Sequence, residues 1–561
     1  MEEKNLSYIH RPVDFQYHYE TVPERVHGMA DRYGDKEVYV FLHADGRRDS
    51  ITAKGLYKKS RQLAYSLLSM GIGKGDVVAT CLYNDLDLLI CTFGVICTGA
   101  IILNATITKE DGSDLHSKLK KLDVKCLILE PGDDLKQLKA CMNFIQKINA
   151  DGSVQSSQVL ALKCLISTST VNGMEMLQLR DCFREPGDSF KLPKLDPEAT
   201  MLLFPTSGST GESKFVPHSH HNAMIIGHHL KESIGYDTAD VIYCERRIAW
   251  IGGFPFMFLH DGLKVVTKTK PFITLRKHCE FTYKVMLKER CTVAGLLPST
   301  VIGLVDMVKD MPEKPSFLLK NIHTGGLPVD SACMNAIGIL TETVTNAYGS
   351  SEGGCFTSNP VKKRENYLNY STGKPLPGFE LKVVNDEGIV VEREKIGLIF
   401  VRSPCLFRYY YKNETKTKEV LSPNHWMNTD DVGYITNDGQ LVVSGRNSDI
   451  ILQSGRYMIP SEIEAFIKCH PDVHDAVVIS VPDASKFELV CACVIPLPGK
   501  TLTTDDIEKW YAEHIHPFTN EAFSRDKPEL IMIFKSFPSL YTGKPNKKAL
   551  KEEVLRRLQF C

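Results

Sequence analysis

Five short stretches of this chain carry side chains suited to handling a phosphorylated ligand. The first is Thr206-Ser207-Gly208-Ser209-Thr210-Gly211-Glu212-Ser213-Lys214, which follows the apolar run Met201-Leu202-Leu203-Phe204. Its glycines let a backbone approach a phosphate closely, and successive N–H groups can form an anion-binding nest. Its hydroxyls add donors and Lys214 adds a point charge. The G-x-x-x-x-G-K-[ST] spacing of a Walker loop is absent. The second is Tyr348-Gly349-Ser350-Ser351-Glu352, which offers an aromatic face for stacking, hydroxyl donors and a carboxylate of the hard-oxygen kind that magnesium prefers. The third, Thr429-Asp430-Asp431, offers adjacent carboxylates, and either acid can accept from two hydroxyls. The fourth runs from Gly445-Arg446-Asn447-Ser448-Asp449 to Ser454-Gly455-Arg456-Tyr457 and on to Pro460-Ser461-Glu462-Ile463-Glu464. The fifth is Tyr541-Thr542-Gly543-Lys544, with Lys547 and Lys548 behind it.

These stretches need a large frame. A chain of 561 residues exceeds what one hydrophobic core usually supports, so two or more domains are expected. A formal net charge of −1 gives no global field toward nucleic acid or an anionic membrane. Seventeen cysteines are scattered through apolar segments with no C-x-x-C pair, which argues against zinc and for reduced thiols in the cytoplasm. The polar start Met1-Glu2-Glu3-Lys4-Asn5 has no apolar signal core, and Leu558-Gln559-Phe560-Cys561 is no peroxisomal or prenylation signal.

The pattern predicts an α/β fold. Strand-like runs alternate with amphipathic stretches: Val77–Leu82, Val124–Leu129 and Val159–Ile166 read as strands. The apolar run Leu88–Leu103 is about 16 residues long, too short to cross a bilayer, and reads as one buried helix. Thr436-Asn437-Asp438-Gly439 is a hairpin turn before a strand over Gln440–Ser444. Composition changes near Gly445, and the unit beyond it has a plausible domain size. Pro460 before Glu462 and Glu464 suits the first turn of a helix.

Taken together, in this order, the five stretches resemble the adenylate-forming superfamily, which includes acyl-CoA synthetases, luciferases and peptide-synthetase adenylation domains. Gly71-Ile72-Gly73-Lys74-Gly75-Asp76-Val77-Val78 resembles a further family strand, so the likeness covers nearly the whole chain. It departs at Ser213 for Pro, Asp430 for Gly, Ser448 for Lys or Asp, and Leu540 for Thr.

The resemblance implies a large N-terminal domain, residues 1–445, of β-sheets flanked by helices. It implies a small mobile α+β C-terminal domain, residues 446–561, with a hinge near 446–449. Thr206, Ser207, Gly208, Ser209, Thr210, Gly211 and Lys214 then form the phosphate loop. Tyr348 and Gly349 flank adenine, Ser351 contacts the α-phosphate and Glu352 holds magnesium. Asp431 matches the ribose-binding carboxylate, Arg446 the arginine near ribose and phosphate, and Lys544 the catalytic lysine. Ser454 and Gly455 match the pantetheine tunnel. Gly325 and Gly326 cover adenine and the acyl group, and Trp250, Gly252 and Ser350 face the acid. The family likeness implies ATP, Mg2+ and CoA as partners of a small carboxylic acid, with no nucleic acid and no transmembrane segment.

The expected activity is that of an ATP-dependent acyl-CoA ligase, with a medium-chain fatty acid as the acid. A luciferase-like oxygenase, an enzyme loading a carrier-protein thiol, and a catalytically silent homologue remain alternatives. The histidines His218, His220, His221, His228 and His229 lie in or beside the helix after the loop and are not expected to bind metal.

Overall fold

The computed structural model describes residues 5–206, 214–270, 274–309, 311, 319–326, 329, 331–362, 364–453, 456–483, 487–514, 528–538 and 545–559. Ser207–Gly211, Ser213, Ser454, Gly455, Leu540 and Lys544 lie outside these residues.

The expected α/β architecture is present. Among the described residues one sheet has six strands, in the order Lys214–Ser219, Thr200–Thr206, Ile101–Asn104, Val77–Cys81, Val124–Leu129 and Cys164–Ser167. Only the first pair is antiparallel. Among the described residues a second sheet has fourteen strands. Six of its neighbours run parallel: Glu37–Leu42, Lys264–Lys268, Val241–Cys244, Val293–Gly295, Leu319–Gly325 and Thr341–Ser350. Antiparallel strands extend it from Gly354–Val361 to Leu441–Arg446.

Parallel strands must be covered on both faces, which explains their near-continuous apolar runs. The largest core cluster joins residues of both sheets to the helices Val22–Tyr33, Ala53–Ser69, Leu86–Cys97 and His220–Ile234, so these form a layer between the sheets. Helices Leu275–Lys288 and Pro298–Lys309 cover the outer face of the larger sheet, and Ser113–Lys121 and Lys136–Met142 that of the smaller. Residues 451–558 carry clusters of their own around the strands Val473–Asp483, Phe487–Pro496 and Leu530–Ile533. This smaller unit touches the larger sheet where Ser461 Oγ donates to the Ser444 carbonyl at 2.5 Å and the Tyr370 phenol to the Ser461 carbonyl at 3.2 Å.

Two sequence expectations need correction. The apolar run Leu88–Leu103 is a helix and a strand: Leu86–Cys97, then Ile101–Asn104. Gly99 makes the break at φ +77°, a conformation that costs glycine nothing. Asp85 caps the helix by accepting from Leu88 N at 3.1 Å. Among the described residues no helix is long and apolar enough to cross a membrane. The strand expected over Val159–Ile166 begins only at Cys164 and ends at Ser167. Val159 and Leu162 bury their side chains from a turn, while Leu160 between them stays exposed. The hairpin at Thr436–Gly439 is confirmed, with Gly439 at φ +87°. Its second strand runs from Leu441 through Arg446, and a 3₁₀ turn, Asn447–Asp449, follows.

Candidate active site

The phosphate-loop stretch sits on an antiparallel hairpin. Thr206 and Lys214 are paired across the ladder, so the seven residues between them start and end at neighbouring points. Burial lowers the Lys214 pKa, with the Lys416 charge adding to it and Glu352 and Asp430 opposing. Its ammonium lies 5.4 Å from the centre of the Tyr410 ring, a cation–π distance.

The second stretch forms the tip of the hairpin Thr341–Ser350 and Gly354–Val361. A Cβ at Gly349 would lie 1.9 Å from the Gly354 carbonyl oxygen, so the tip closes only with glycine there. Ser350 Oγ accepts from Glu352 N at 3.2 Å, and His218 Nε2 donates to the Ser351 carbonyl at 2.7 Å. Burial pushes the His218 imidazole down to about 4, so it is neutral at pH 7. Glu352 Oε1 accepts from the Tyr410 phenol at 2.8 Å, and the Glu352 carbonyl accepts from Phe407 N at 2.7 Å. Glu352 Oε2 has no hydrogen bond among the described residues.

Tyr348 sits behind this tip. Its phenol donates to Asp431 Oδ2 at 2.5 Å, and burial together with that carboxylate raises its pKa. Asp431 Oδ1 faces Arg446 Nε at 3.1 Å, and Arg446 Nη1 donates to the Thr429 carbonyl at 3.2 Å. Asp430, the other acid of the pair, is exposed and stands at φ +59°. It is Asp431 that meets Tyr348 and Arg446. The site thus gathers Thr206, Lys214, Glu352, Tyr348, Asp431 and Arg446 from five strands and one turn.

Residues 27–411 match the AMP-binding enzyme family, and residues 462–525 match the AMP-binding enzyme C-terminal domain. The chain is an AMP-binding enzyme. It is 24% identical to "4-coumarate--CoA ligase-like 1" of Arabidopsis thaliana over 95% of this chain and 94% of that one. It is 25% identical to a mitochondrial medium-chain acyl-CoA ligase of Danio rerio over 98% of this chain and 91% of that one. Its fold is similar to the anthranilate CoA ligase AuaEII in complex with anthranoyl-AMP, with TM-score 0.80, 19% identity and 96% and 98% of the two chains covered. ATP-bound MatB from Rhodopseudomonas palustris gives TM-score 0.78 at 20% identity, with 96% and 99% covered.

In this AMP-binding enzyme the residues expected to face the acid occupy three places, of which the hairpin tip with Ser350 is one. Trp250 lines a cleft of about 680 Å³ that opens at the carboxyl ends of parallel strands from both sheets. Within that cleft Glu245 Oε2 lies 3.2 Å from His278 Nε2, and Lys268 Nζ lies 2.9 Å from His278 Nδ1. Glu245 Oε1 accepts from Leu297 N at 2.8 Å and Thr300 Oγ1 at 3.1 Å, at the start of helix Pro298–Lys309. Gly252 and Gly325 lie instead around Arg246. A Cβ at Gly252 would fall 2.7 Å from Arg246 Cδ and Nη1, and Arg246 Nη2 donates to the Gly325 carbonyl at 3.1 Å. Gly326 follows, exposed, at φ +86°.

The histidines expected not to bind metal are used in packing. His220 Nδ1 accepts from Val22 N at 3.2 Å, and His229 Nε2 donates to the Pro377 carbonyl at 2.9 Å. Sequence reasoning passed over Tyr410, Arg246 and the orienting role of His218. Tyr410 lies within the aromatic run Tyr409-Tyr410-Tyr411, and Arg246 within the charged run Glu245-Arg246-Arg247 at the end of an apolar strand, which was the one signal available.

Proposed function

We propose that this chain is an AMP-forming acid–thiol ligase that activates a carboxylic acid and passes it to CoA. The observation that carries the reading is the Tyr348–Asp431–Arg446 network standing beside Glu352 and the Thr206–Lys214 hairpin. An aromatic face, a carboxylate for ribose hydroxyls and a cation for phosphate follow one another in the order a nucleotide needs.

The reaction has two balanced halves. A carboxylate oxygen of the acid attacks the α-phosphorus of ATP, and the bond to the β-phosphate oxygen breaks, releasing pyrophosphate and leaving an acyl-adenylate. The thiol sulfur of CoA then attacks the acyl carbon, and the bond to the AMP oxygen breaks. Thioester and AMP form, and the thiol proton is released. Lys214, and Lys544 by its family position, meet the negative charge that develops on the phosphoryl oxygens. Ser351 and the loop residues from Thr206 to Gly211 supply donors to the phosphates. Asp431 holds the ribose, Tyr348 and Gly349 flank adenine, and Gly325 and Gly326 cover adenine and the acyl group. No protein nucleophile is required.

Glu352 suits magnesium, because Tyr410 fixes one carboxylate oxygen and the other carries no hydrogen bond among the described residues. Bound there, the ion would neutralise phosphate charge.

We place the domain boundary at 445/446, with the hinge at 446–449 and the pantetheine loop at Ser454 and Gly455. The acid is proposed to be of medium chain length, facing Trp250, Gly252 and Ser350. A cytoplasmic setting fits the sixteen free cysteines among the described residues.

The test separates the two halves. Lys544→Ala should lose ATP–pyrophosphate exchange by about 100-fold or more while still converting supplied acyl-adenylate and CoA to thioester. Equal loss of both half-reactions would refute the role of Lys544. Absence of exchange with every acid in the unaltered protein would refute the ligase itself.

A further inference from the structure

Among the described residues Arg246 is a cation without a counter-ion, set between Gly252 and Gly325. Its Nη2 spends one donor on the Gly325 carbonyl, at 3.1 Å. Its Nε is buried with no acceptor among the described residues, and no carboxylate there forms an ion pair with it. Its sequence neighbour Glu245 is no substitute, because both oxygens of that carboxylate are engaged by Leu297, Thr300 and His278. Strand Leu319–Gly325, which Arg246 reaches at the Gly325 carbonyl, contributes His323, whose Nε2 is also buried and unpartnered among the described residues. Burial, then the Arg246 charge, lowers that imidazole to about 3, so it stands neutral at pH 7.

Leaving a guanidinium donor buried and unmet is costly, and so is burying an imidazole nitrogen without a partner. A fatty acyl chain packed against Gly252 and Gly325 would make the cost permanent. A ligand with a second carboxylate removes it, since carboxylate oxygens match the arginine fork.

We propose that the acid is a dicarboxylate: one carboxyl group is adenylated, and the distal carboxylate is read by Arg246, with His323 beside it. This deepens the ligase reading and rests on its placement of the acid at Gly252 and Gly325. Arg246 is a substrate-binding residue in this account and takes no part in the bond changes.

The experiment compares linear dicarboxylates from succinate to sebacate with monocarboxylates of equal carbon number. Binding is read by the melting-temperature shift of the full chain, and turnover by pyrophosphate release. At one chain length or more, the dicarboxylate should bind about 100-fold more tightly than its partner. Arg246→Gln and Arg246→Leu should erase that gap, and Arg246→Lys should keep part of it. Monocarboxylates binding as well at every length in the unaltered protein would overturn the proposal, whatever the variants do. A gap that survives Arg246→Gln would overturn it as well. Should dicarboxylates bind through Arg246 while no acid releases pyrophosphate, the recognition of a carboxylate by Arg246 stands, and its adenylation falls with the ligase reading.

Discussion

The phenol of Tyr348 and the carboxylate of Asp431 meet at 2.5 Å although three strands lie between theirs in the sheet. Adjacent strands are spaced about 4.8 Å apart, so a flat sheet would hold the two backbones about 19 Å from each other. The contact therefore requires the larger sheet to curl until strand Met427–Ile435 faces strand Thr341–Ser350. The nucleotide-facing groups are a product of that curl.

Tyr348→Phe removes the phenol that holds Asp431 Oδ2 and leaves the ring. It should cost about 2 kcal/mol of stability, as for a hydrogen bond to a charged group. ATP affinity should fall with it, because the carboxylate of Asp431 loses the phenol that orients it. Chemical denaturation and calorimetric titration of ATP read the two effects. Unchanged values in both would separate Tyr348 from the site.

Glu352→Gln should move the magnesium requirement to higher concentration while the melting temperature holds. Tyr410→Phe releases Oε1 of Glu352 and should produce a weaker shift in the same direction, about 10-fold. A magnesium titration of pyrophosphate release that is indifferent to both variants would return Glu352 to an ordinary acid.

Acid should destabilise the fold from about pH 6.5 downward. His218, His220, His228 and His229 are lowered to about 4 by burial, and His323 to about 3. Between those values and the ordinary 6.5 the unfolded chain binds more protons than the folded one, so stability rises with pH across that window and is lost as pH falls. His218→Gln, which can keep a donor toward the Ser351 carbonyl, should reduce proton uptake on unfolding at pH 5 by about one. Denaturant midpoints measured from pH 7 to pH 5 test this. A flat profile would mean that these imidazoles are not buried neutral.

Asp430 occupies φ +59°, a region costly for a residue with a Cβ and free for glycine. Its backbone N–H donates to Asn428 Oδ1 at 2.9 Å, a bond that glycine keeps. Asp430→Gly should therefore stabilise the chain by about 0.5–1 kcal/mol with ATP binding unchanged. A loss of ATP affinity would show that Asp430, and not Asp431 alone, serves the ligand.

Most of the site was legible because its chemistry is carried by short contiguous runs. Tyr348 with Glu352, Asp431 and Arg446 each stand where their own neighbours announce them. The orienting groups were not legible, for a physical reason: His218 acts on a backbone carbonyl 133 residues away, and Tyr410 on a carboxylate 58 residues away. No local pattern encodes either. In the fold, the run Leu88–Leu103 misled because a helix between two sheets and a strand inside one are both apolar all round, and Gly99, which breaks the run, looks no different in sequence from Gly94 inside the helix. Val159–Ile166 misled because two buried residues of a turn imitate a strand's inward side chains.

The crowding of Gly252 by Arg246 couples the evolution of two positions. A mutation that gives residue 252 a side chain is tolerated on a background where position 246 is already short, and obstructed where the guanidinium still lies across it. Conversely, shortening Arg246 alone opens a void beside a bare glycine. The pair is thus epistatic: a change of acid preference along this wall is reached by two substitutions in a favoured order, and libraries that vary position 252 alone will under-sample it.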